Sequence, residues 1–289
     1  MGIKDFPNSR LLVTEAAMNT MANREKMAEL IFESHNFGHC MFQTQAVLSL
    51  MSEGLSTGIV MDSGDGVSHV IPVVEGYIQM HAKQRLDLAG RHVTNYLVKL
   101  LNQQGYAFNS SADFETVREI KEQCCFVSYD PAKDLKLANE TTILDKEYTL
   151  PDKSVIKISR ERYQAAECLF NPWLAGKEDS GIAQKLFDSL QKCDIDNYVP
   201  LAQNVYLTGG TTMFAGLSTR MYNELEKIML EQKYGGKKKS FEALGLRVHD
   251  PPRRKHAVFI GASFLAANED EDKWISKARY QEMGAKAVH

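Results

Sequence analysis

Long apolar runs are missing from this 289-residue chain, since no stretch approaches the ~20 apolar residues that span a bilayer. The opening MGIKDFPNSR has no apolar core and no myristoylation serine or threonine, so it is neither a secretory nor an acylation signal. Net charge is nearly absent as well, at −3 from 34 basic and 37 acidic residues. We therefore expect no membrane insertion and no nucleic-acid partner.

Cysteine is scarce, and the five thiols lack the spacing of zinc ligands: Cys40, Cys124, Cys125, Cys168 and Cys193. An odd, scattered set is typical of reduced, mostly buried thiols in the cytosol. Tandem repeats and low-complexity linkers are also lacking. The hydrophobic content of 44% and charged content of 25% indicate a globular chain of one large domain or two smaller ones.

An unusual turn interrupts the apolar stretch IVMDSGDGVSHV at residues 59–70. A β-hairpin explains it, with Asp65-Gly66 supplying turn residues of positive φ. A phosphate and metal cradle is the alternative, since bare amides can face an anion while a carboxylate faces its cation. For this stretch taken alone, the hairpin is the favoured interpretation. Strand–turn–strand order excludes a Rossmann or Walker phosphate loop, because both need a helix directly after the glycines.

Strands and helices alternate along the rest of the chain, which predicts an α/β fold. Helical periodicity covers residues 22–33, and Ser110 and Asp113 have capping-box spacing at the start of another helix. A hairpin is predicted at residues 148–159, around the Pro-Asp of YTLPDKSVIKIS. The lysine run YGGKKKS at 234–240 is interpreted as a surface loop.

A second glycine turn, LTGGTTMFAG at residues 207–216, joins a predicted strand to an amphipathic helix. Thr211 and Thr212 offer hydroxyls and free amides, while Met213 and Phe214 offer a soft apolar surface on which a flat ring could rest. An ordinary glycine turn before a helix is the simpler interpretation of this segment alone.

Five segments, in order and spacing, are similar to actin and its related proteins: DSGDGVSH, RLDLAGR, ETVREIKE, LTGGTTMFAGL and DPPRRKH. The resemblance extends from about Leu11 to about Gly284. It implies an actin-like ATPase fold of the ribonuclease H-like class. It also implies that residues 1–52 and 257–289 belong to subdomain 1, residues 53–88 and 177–256 to subdomain 3, and residues 89–176 to subdomain 4.

The resemblance assigns roles at the phosphate end of a bound ATP or ADP. Asp62 would hold the nucleotide's Mg²⁺ through water, as suits a strongly hydrated cation. The loop whose amides would bind the β- and γ-phosphates consists of Gly64, Asp65, Gly66 and Val67. Gln45 and His69 would position the attacking water. From the residues alone, Gln45 could be a helix-surface amide and His69 a satisfied core histidine.

The nucleoside end would lie on a helix. Arg118, Lys121 and Glu122 stand at i, i+3 and i+4 and so share one face. The resemblance implies that this face holds adenine and ribose, with Glu122 accepting from ribose hydroxyls, whereas the residues alone allow a solvated salt-bridge face. The remaining cofactor-binding positions that the resemblance implies are Gly90, Gly210, Thr211, Met213, Phe214 and Lys255.

The resemblance begins after the family's first phosphate hairpin and a small outer subdomain. We therefore expect an incomplete chain with weakened nucleotide binding and no hydrolysis by itself, and weak ATPase activity at most in the complete protein. Both flanks, residues 1–52 and 257–289, would lack much of their central sheet. The apolar side chains that would lose partners are Met27, Leu30, Ile31, Val258, Phe259, Phe264 and Leu265.

The resemblance implies an ATP-regulated subunit of the complex that nucleates branched actin filaments in the cytoplasmic actin cytoskeleton. Its partners would be actin-related protein 3, the other subunits, actin filaments and nucleation-promoting factors. A conventional or divergent actin that polymerises itself is the alternative. Four carboxylates in NEDED at 268–272 weigh against it, since they make a poor site for apolar anchors, although a solvated acidic turn explains them too. A sugar kinase or chaperone ATPase of the same fold ranks third, because no acceptor segment shows between Gly76 and Arg118.

Overall fold

A computed structural model describes residues 5–288 of the chain. Its strands are β1 (Arg10–Glu15), β2 (His39–Thr44), β3 (Gly58–Ser63), β4 (Ser68–Val74), β5 (Tyr77–Ile78), β6 (Gln84–Leu86), β7 (Lys146–Thr149), β8 (Val155–Ile158), β9 (Val205–Thr208), β10 (Val248–His249) and β11 (Ile275–Ser276). Its α-helices are α1 (Met21–Glu29), α2 (Gln45–Met51), α3 (Gly90–Gln103), α4 (Ser111–Cys124), α5 (Pro131–Glu140), α6 (Glu161–Glu167), α7 (Ile182–Lys192), α8 (Ile195–Gln203), α9 (Leu217–Gln232), α10 (Lys238–Leu244), α11 (Ala257–Asn268) and α12 (Lys277–Met283).

Contacts between residues divide the chain into two units. The first contains the described residues up to Ser56, Glu75–Ile78 and those from His256, and the second contains Thr57–Val74 and Gln79–Lys255. Across residues 5–288, no helix is both long and apolar enough to cross a membrane. All five cysteines are free thiols, and four of them are buried.

The first unit is built on a three-stranded sheet in the order β1-β2-β11. Strands β1 and β2 are parallel, from Arg10 opposite His39 to Glu15 opposite Thr44, and β11 is antiparallel to β2. Two apolar clusters flank this sheet, one around Phe32 and Tyr280 and the other around Leu48 and Trp274. The flanks therefore have a packed core of their own, although the sequence predicts that much of their central sheet is missing.

In the helical segment 22–33, the predicted apolar face was Met27, Leu30 and Ile31, and the observed face is shifted by one position. Ala28, Ile31 and Phe32 are buried, whereas Leu30 is 45% exposed. The second half of this segment, Leu30–Ser34, is a π-helical turn in which His35 N donates to Leu30 O. In the carboxy-terminal flank, Phe259 and Phe264 are exposed as expected, at 72% and 59%, but Leu265 is buried.

The second unit contains a mixed sheet in the order β10-β9-β3-β4, with β6 also paired to β4. Strand β3 is parallel to β9 and antiparallel to β4. Burial is nearly continuous along β3, β4 and β9, as expected for central strands covered on both faces. A large core forms around these strands, to which α3, α7 and α9 contribute residues such as Leu97, Leu186 and Leu225.

The predicted hairpin at DSGDG is confirmed, but its predicted turn geometry is wrong. Neither Gly64 nor Gly66 has a positive φ. The loop spans the four residues between β3 and β4 and is closed by a bond of 3.2 Å from Gly64 N to Val67 O. A four-residue loop has more dihedral angles over which to reverse the chain, so it does not need the left-handed residues of a two-residue turn.

The predicted capping box at Ser110 is confirmed, since its hydroxyl accepts from Asp113 N and the Asp113 carboxylate accepts from Ser110 N. The hairpin of β7 and β8 is also confirmed. The loop predicted at 234–240 is too long, because α10 begins at Lys238. Phe241 and Leu244 of this helix are buried in the core. Their packing stabilises the helix, which therefore includes the last residues of the lysine run.

Gly261 of α11 offers a test of the first unit's packing, because an added Cβ would meet the backbone of Leu48 in α2, 2.7 Å from its carbonyl carbon. A backbone atom cannot rotate away, so we expect Gly261→Ala to lower the free energy of unfolding by about 1–3 kcal/mol, despite alanine's better helix propensity. Ser263→Ala, at an exposed position of the same helix, is the control and should change it by less than about 0.5 kcal/mol. Urea denaturation measures both, and an unchanged midpoint for Gly261→Ala would contradict this packing.

Candidate functional site

A cavity of about 800 Å³ opens in the second unit where four segments meet. These are the loop after β3, the start of α3, the face of α4 and the loop after β9. Eleven of the positions predicted to bind a cofactor line it: Gly64, Asp65, Gly90, Arg118, Lys121, Glu122, Gly210, Thr211, Met213, Phe214 and Lys255. The volume lies within the range of small-molecule and cofactor sites.

Gly64 holds three of these segments together through its carbonyl oxygen. Gly90 N donates to this oxygen at 3.1 Å, and Thr211 Oγ1 donates to it at 2.6 Å. Gly90 has no room for a side chain here, because a Cβ would lie 2.7 Å from Thr211 Oγ1. The glycines of separate motifs therefore allow their backbones to approach closely around one acceptor.

Arg91 also lines the cavity, although it was not among the predicted site residues. Its guanidinium pairs with the Asp65 carboxylate at 2.7 Å, and its amide donates to Asp65 O at 2.8 Å. Both side chains are exposed, so the ion pair adds little free energy, but the two contacts fix the orientation of the loop. The available signal was its position directly after Gly90 in RLDLAGR.

The α4 face has the salt bridges that the residues alone allow, and it also lines the cavity. Arg118 pairs with Glu115 at 2.7 Å and with Glu122 at 3.2 Å, which is the salt-bridge face. Lys121 is buried, and its Nζ donates to Gly90 O at 3.1 Å and to Thr94 Oγ1 at 3.0 Å. Burial lowers the pKa of Lys121. This side chain therefore fastens α4 to the start of α3, while Arg118 and Glu122 remain at the cavity surface.

The apolar wall of the cavity contains Phe114, Met213 and Phe214. Met213 is 40% exposed, whereas Phe214 is almost buried at 8%, so the wall is partly a fixed ring and partly a flexible thioether. Cys125 also lines the cavity, and burial raises the pKa of its thiol to about 12. A flat ring could lie against this wall, with Arg118 and Glu122 at the cavity's polar side.

Arg254, in the DPPRRKH segment, supports the loop after β9. Its guanidinium donates to Thr212 O from Nε at 3.2 Å and from Nη2 at 2.9 Å. Its own carbonyl accepts from Thr208 Oγ1 at 3.0 Å and from Gly209 N at 3.3 Å. Lys255, which was predicted, is exposed and lines the cavity. The sequence alone could not show which of two adjacent arginines is buried.

Five predicted residues do not line the cavity: Gln45, Asp62, Gly66, Val67 and His69. Asp62 stands directly opposite His69 in the β3-β4 register. Burial raises the Asp62 pKa from 3.8 to about 6. His69 is buried, its Nε2 has no hydrogen-bond partner among the described residues, and burial with the nearby Arg85 charge lowers its pKa. Gln45 belongs to the first unit, where its Nε2 donates to Thr14 Oγ1 at 3.4 Å.

The pattern that defines the Actin family matches residues 5–289 of the sequence. The chain therefore belongs to the actin family, and its mixed α/β architecture is the actin-like fold that the sequence predicted.

Individual relatives are more informative than the family as a whole. The chain is 49% identical to the actin-related protein 2 of Oryza sativa subsp. japonica over 282 residues, which are 97% of this chain and 72% of the relative. It is 47% identical to the actin-related protein 2 of Schizosaccharomyces pombe, covering 99% of this chain and 74% of that protein. The protein of the same name from Saccharomyces cerevisiae is 45% identical, with coverages of 100% and 74%.

Asp62 predicts a pH-dependent stability. Its raised pKa means that the ligand-free fold binds this proton more tightly than the unfolded chain does, so ionisation destabilises the fold as pH rises from 3.8 through about 6. At about 1.4 kcal/mol per pH unit, Asp62→Asn should raise the free energy of unfolding by up to about 3 kcal/mol at pH 8 and by about half as much at pH 5. Urea denaturation without nucleotide measures both values. Asp65→Asn, at an exposed and paired carboxylate, should give no gain, and an equal gain in both variants would refute the assignment.

Proposed function

We propose that the chain binds ATP or ADP with Mg²⁺ in this cavity. The observation that carries the proposal is the meeting of an apolar ring surface, a charged helical face and two glycine loops around one space of about 800 Å³. A nucleotide has the same three parts: a base, a sugar with hydroxyls, and phosphates. The neighbouring Asp62 and His69, both polar and partly or fully buried, would lie towards the phosphate end.

The loop between β3 and β4 would bind the phosphates. Among the described residues, the amides of Asp65, Gly66 and Val67 have no backbone acceptor, whereas Gly64 N already donates to Val67 O. We therefore propose three amide donors to phosphate instead of four. The Gly64 carbonyl would instead hold neighbouring segments together, since it accepts from Gly90 N and Thr211 Oγ1.

Mg²⁺ would be held by the nucleotide phosphates and by water, with Asp62 accepting from that water. Within the part of the chain that the structure describes, no group of three or more histidine, cysteine or carboxylate side chains could hold a metal directly, and Mg²⁺ commonly keeps several waters. The bound ion would neutralise charge on the phosphates. It would also favour the ionised form of Asp62, which burial disfavours. His69, kept neutral by burial, would orient a water.

The wider role we propose is that of a subunit in the complex that nucleates branched actin filaments. Supporting this is the high identity to several proteins named actin-related protein 2, together with the nucleotide-sized cavity. Partners would be actin-related protein 3, the remaining subunits, actin filaments and nucleation-promoting factors in the cytoplasmic cytoskeleton. We propose that the protein acts through nucleotide binding and that its ATPase activity is weak at most. The subdomain boundaries given above remain part of this proposal.

A self-polymerising actin is the second candidate, and the acidic segment after α11 weighs against it. A short 3-10 turn forms at Glu271–Lys273. Two of its residues are paired with side chains outside it, Lys273 with Glu269 and Glu271 with Arg10. A paired, polar turn offers no apolar anchor for a neighbouring subunit.

The nucleoside contacts can be tested by separating base and sugar from phosphate. Glu122→Gln should weaken Mg-ATP binding roughly tenfold or more, since a hydrogen bond to a charged group is worth ~1.5–3 kcal/mol, and Phe214→Ala should weaken it through loss of the ring surface. Neither change should affect inorganic tripolyphosphate, which has no sugar or base. Isothermal titration measures all four affinities. Equal losses for both ligands would contradict the proposed orientation.

The proposed assembly can be tested by co-expression with actin-related protein 3 and the other subunits. We expect the chain to co-purify with them, and the assembly to shorten the lag phase of actin polymerisation when a nucleation-promoting factor is added. The chain alone should stay in the supernatant after high-speed centrifugation under polymerising conditions. Filaments of the chain alone in the pellet would support the self-polymerising actin instead.

A further inference from the structure

A buried arginine in α9 contacts four groups, three of which lie outside its own helix. Arg220 is only 5% exposed, and its guanidinium lies 4.6 Å from the centre of the Phe170 ring. Nη2 pairs with Glu167 of α6 at 2.7 Å, and Nε pairs with Glu224 of α9 at 2.8 Å. Nη1 donates to the backbone carbonyl of Ser128 at 2.8 Å.

The Ser128 carbonyl belongs to a short extended segment that borders the cavity. In this segment, Val127 N donates to Ala215 O at 2.9 Å, and Phe126 forms a parallel bridge with Ala215. Cys125 and Ala215 both line the cavity. The guanidinium therefore holds the segment at residues 125–128, which is bonded to the segment that carries Phe214 and Ala215.

Simple core packing does not explain this arrangement. A buried ion pair can often be replaced by apolar residues of similar volume without loss of stability, so three charged side chains are not needed to join α6 to α9. The guanidinium presents five donors in a rigid fork, and that fork spans two carboxylates and a backbone carbonyl at once. An ammonium group cannot reproduce this geometry.

We infer that Arg220 is a positioning residue for the base-side wall, defined as Cys125, Phe214 and Ala215, and that it acts through the Ser128 carbonyl and the bond from Val127 to Ala215. The inference rests on the proposed function, since the wall would contact the base of a nucleotide. Arg220 itself does not line the cavity. Its effect should therefore reach the base and not the phosphates.

The first test measures positioning without any ligand. Arg220→Lys keeps the charge but loses the fork, so the Val127 amide should exchange with deuterium about tenfold faster or more, as expected when local opening becomes easier. The Ile59 amide, which donates to Asn204 O in the central sheet, should keep its rate. Glu224→Gln is the matched control: Glu224 accepts from Nε and not from Nη1, the nitrogen that donates to Ser128 O, so the Val127 rate should be unchanged. An unchanged Val127 rate in Arg220→Lys would overturn the inference.

The second test measures the consequence for binding. Arg220→Lys should weaken Mg-ATP about fivefold to tenfold while leaving inorganic tripolyphosphate within about twofold, and Glu224→Gln should alter neither. Equal losses for the two ligands would show a merely structural role and overturn the inference. If Arg220→Lys fails to fold, Glu167→Gln is the second variant. Glu167 accepts from Nη1, the nitrogen that also donates to Ser128 O, so its loss should give the same pattern. Absence of Mg-ATP binding by the unaltered protein would refute the proposed function, and the Val127 exchange rate would then still decide whether Arg220 holds the wall.

Discussion

The backbone carbonyl of Gly64 joins the three segments on which the candidate site depends. It accepts from Gly90 N and from Thr211 Oγ1, and so it fixes the hairpin loop, the start of α3 and the loop after β9 at one point. The absence of a side chain at Gly90 makes the approach possible. Without these two hydrogen bonds, the three segments could shift relative to one another, and the cavity would change shape even with all of its lining side chains unchanged.

Buried lysine and arginine side chains in the second unit also fix the backbone around the cavity by donating to carbonyl oxygens. Lys121, Arg220 and Arg254 are each less than a tenth exposed, and each donates to a backbone carbonyl close to the cavity. A carbonyl oxygen has no rotamers, so a charged donor fixes the path of the chain more directly than a contact between two side chains would. Because a buried charge left without partners is costly, these residues also resist local opening of the loops. The backbone around the cavity is therefore stabilised by these buried side chains as well as by contacts between the lining residues.

Local sequence patterns predicted many of the helices, hairpins and turns, but they did not predict contacts between residues far apart in the chain. The capping box at Ser110, the hairpins and the glycine turn after β9 each depend on residues within a few positions of one another. Strand β1 was not predicted, because its partner β2 begins 29 residues later and neither strand alternates clearly. The roles of Arg91, Arg220 and Arg254 could not be read from composition or spacing, since each depends on which carbonyl the fold brings near. Most of the site residues were placed together by resemblance to the actin family and not by local chemistry.

Asp62 and His69 show how the stability of the fold is linked to its proposed ligand. They face each other across two central strands, where apolar pairs would stabilise the sheet more. Burial disfavours charge on both groups, raising the pKa of Asp62 to about 6 and lowering that of His69. Two polar side chains thus take paired positions in the central sheet, and His69 Nε2 has no hydrogen-bond partner among the described residues. Such a departure from a local rule is the pattern expected at a functional site. A hydrated cation near Asp62 would stabilise its ionised form. Ligand binding would then also stabilise the fold, by relieving the unfavourable burial of the Asp62 charge.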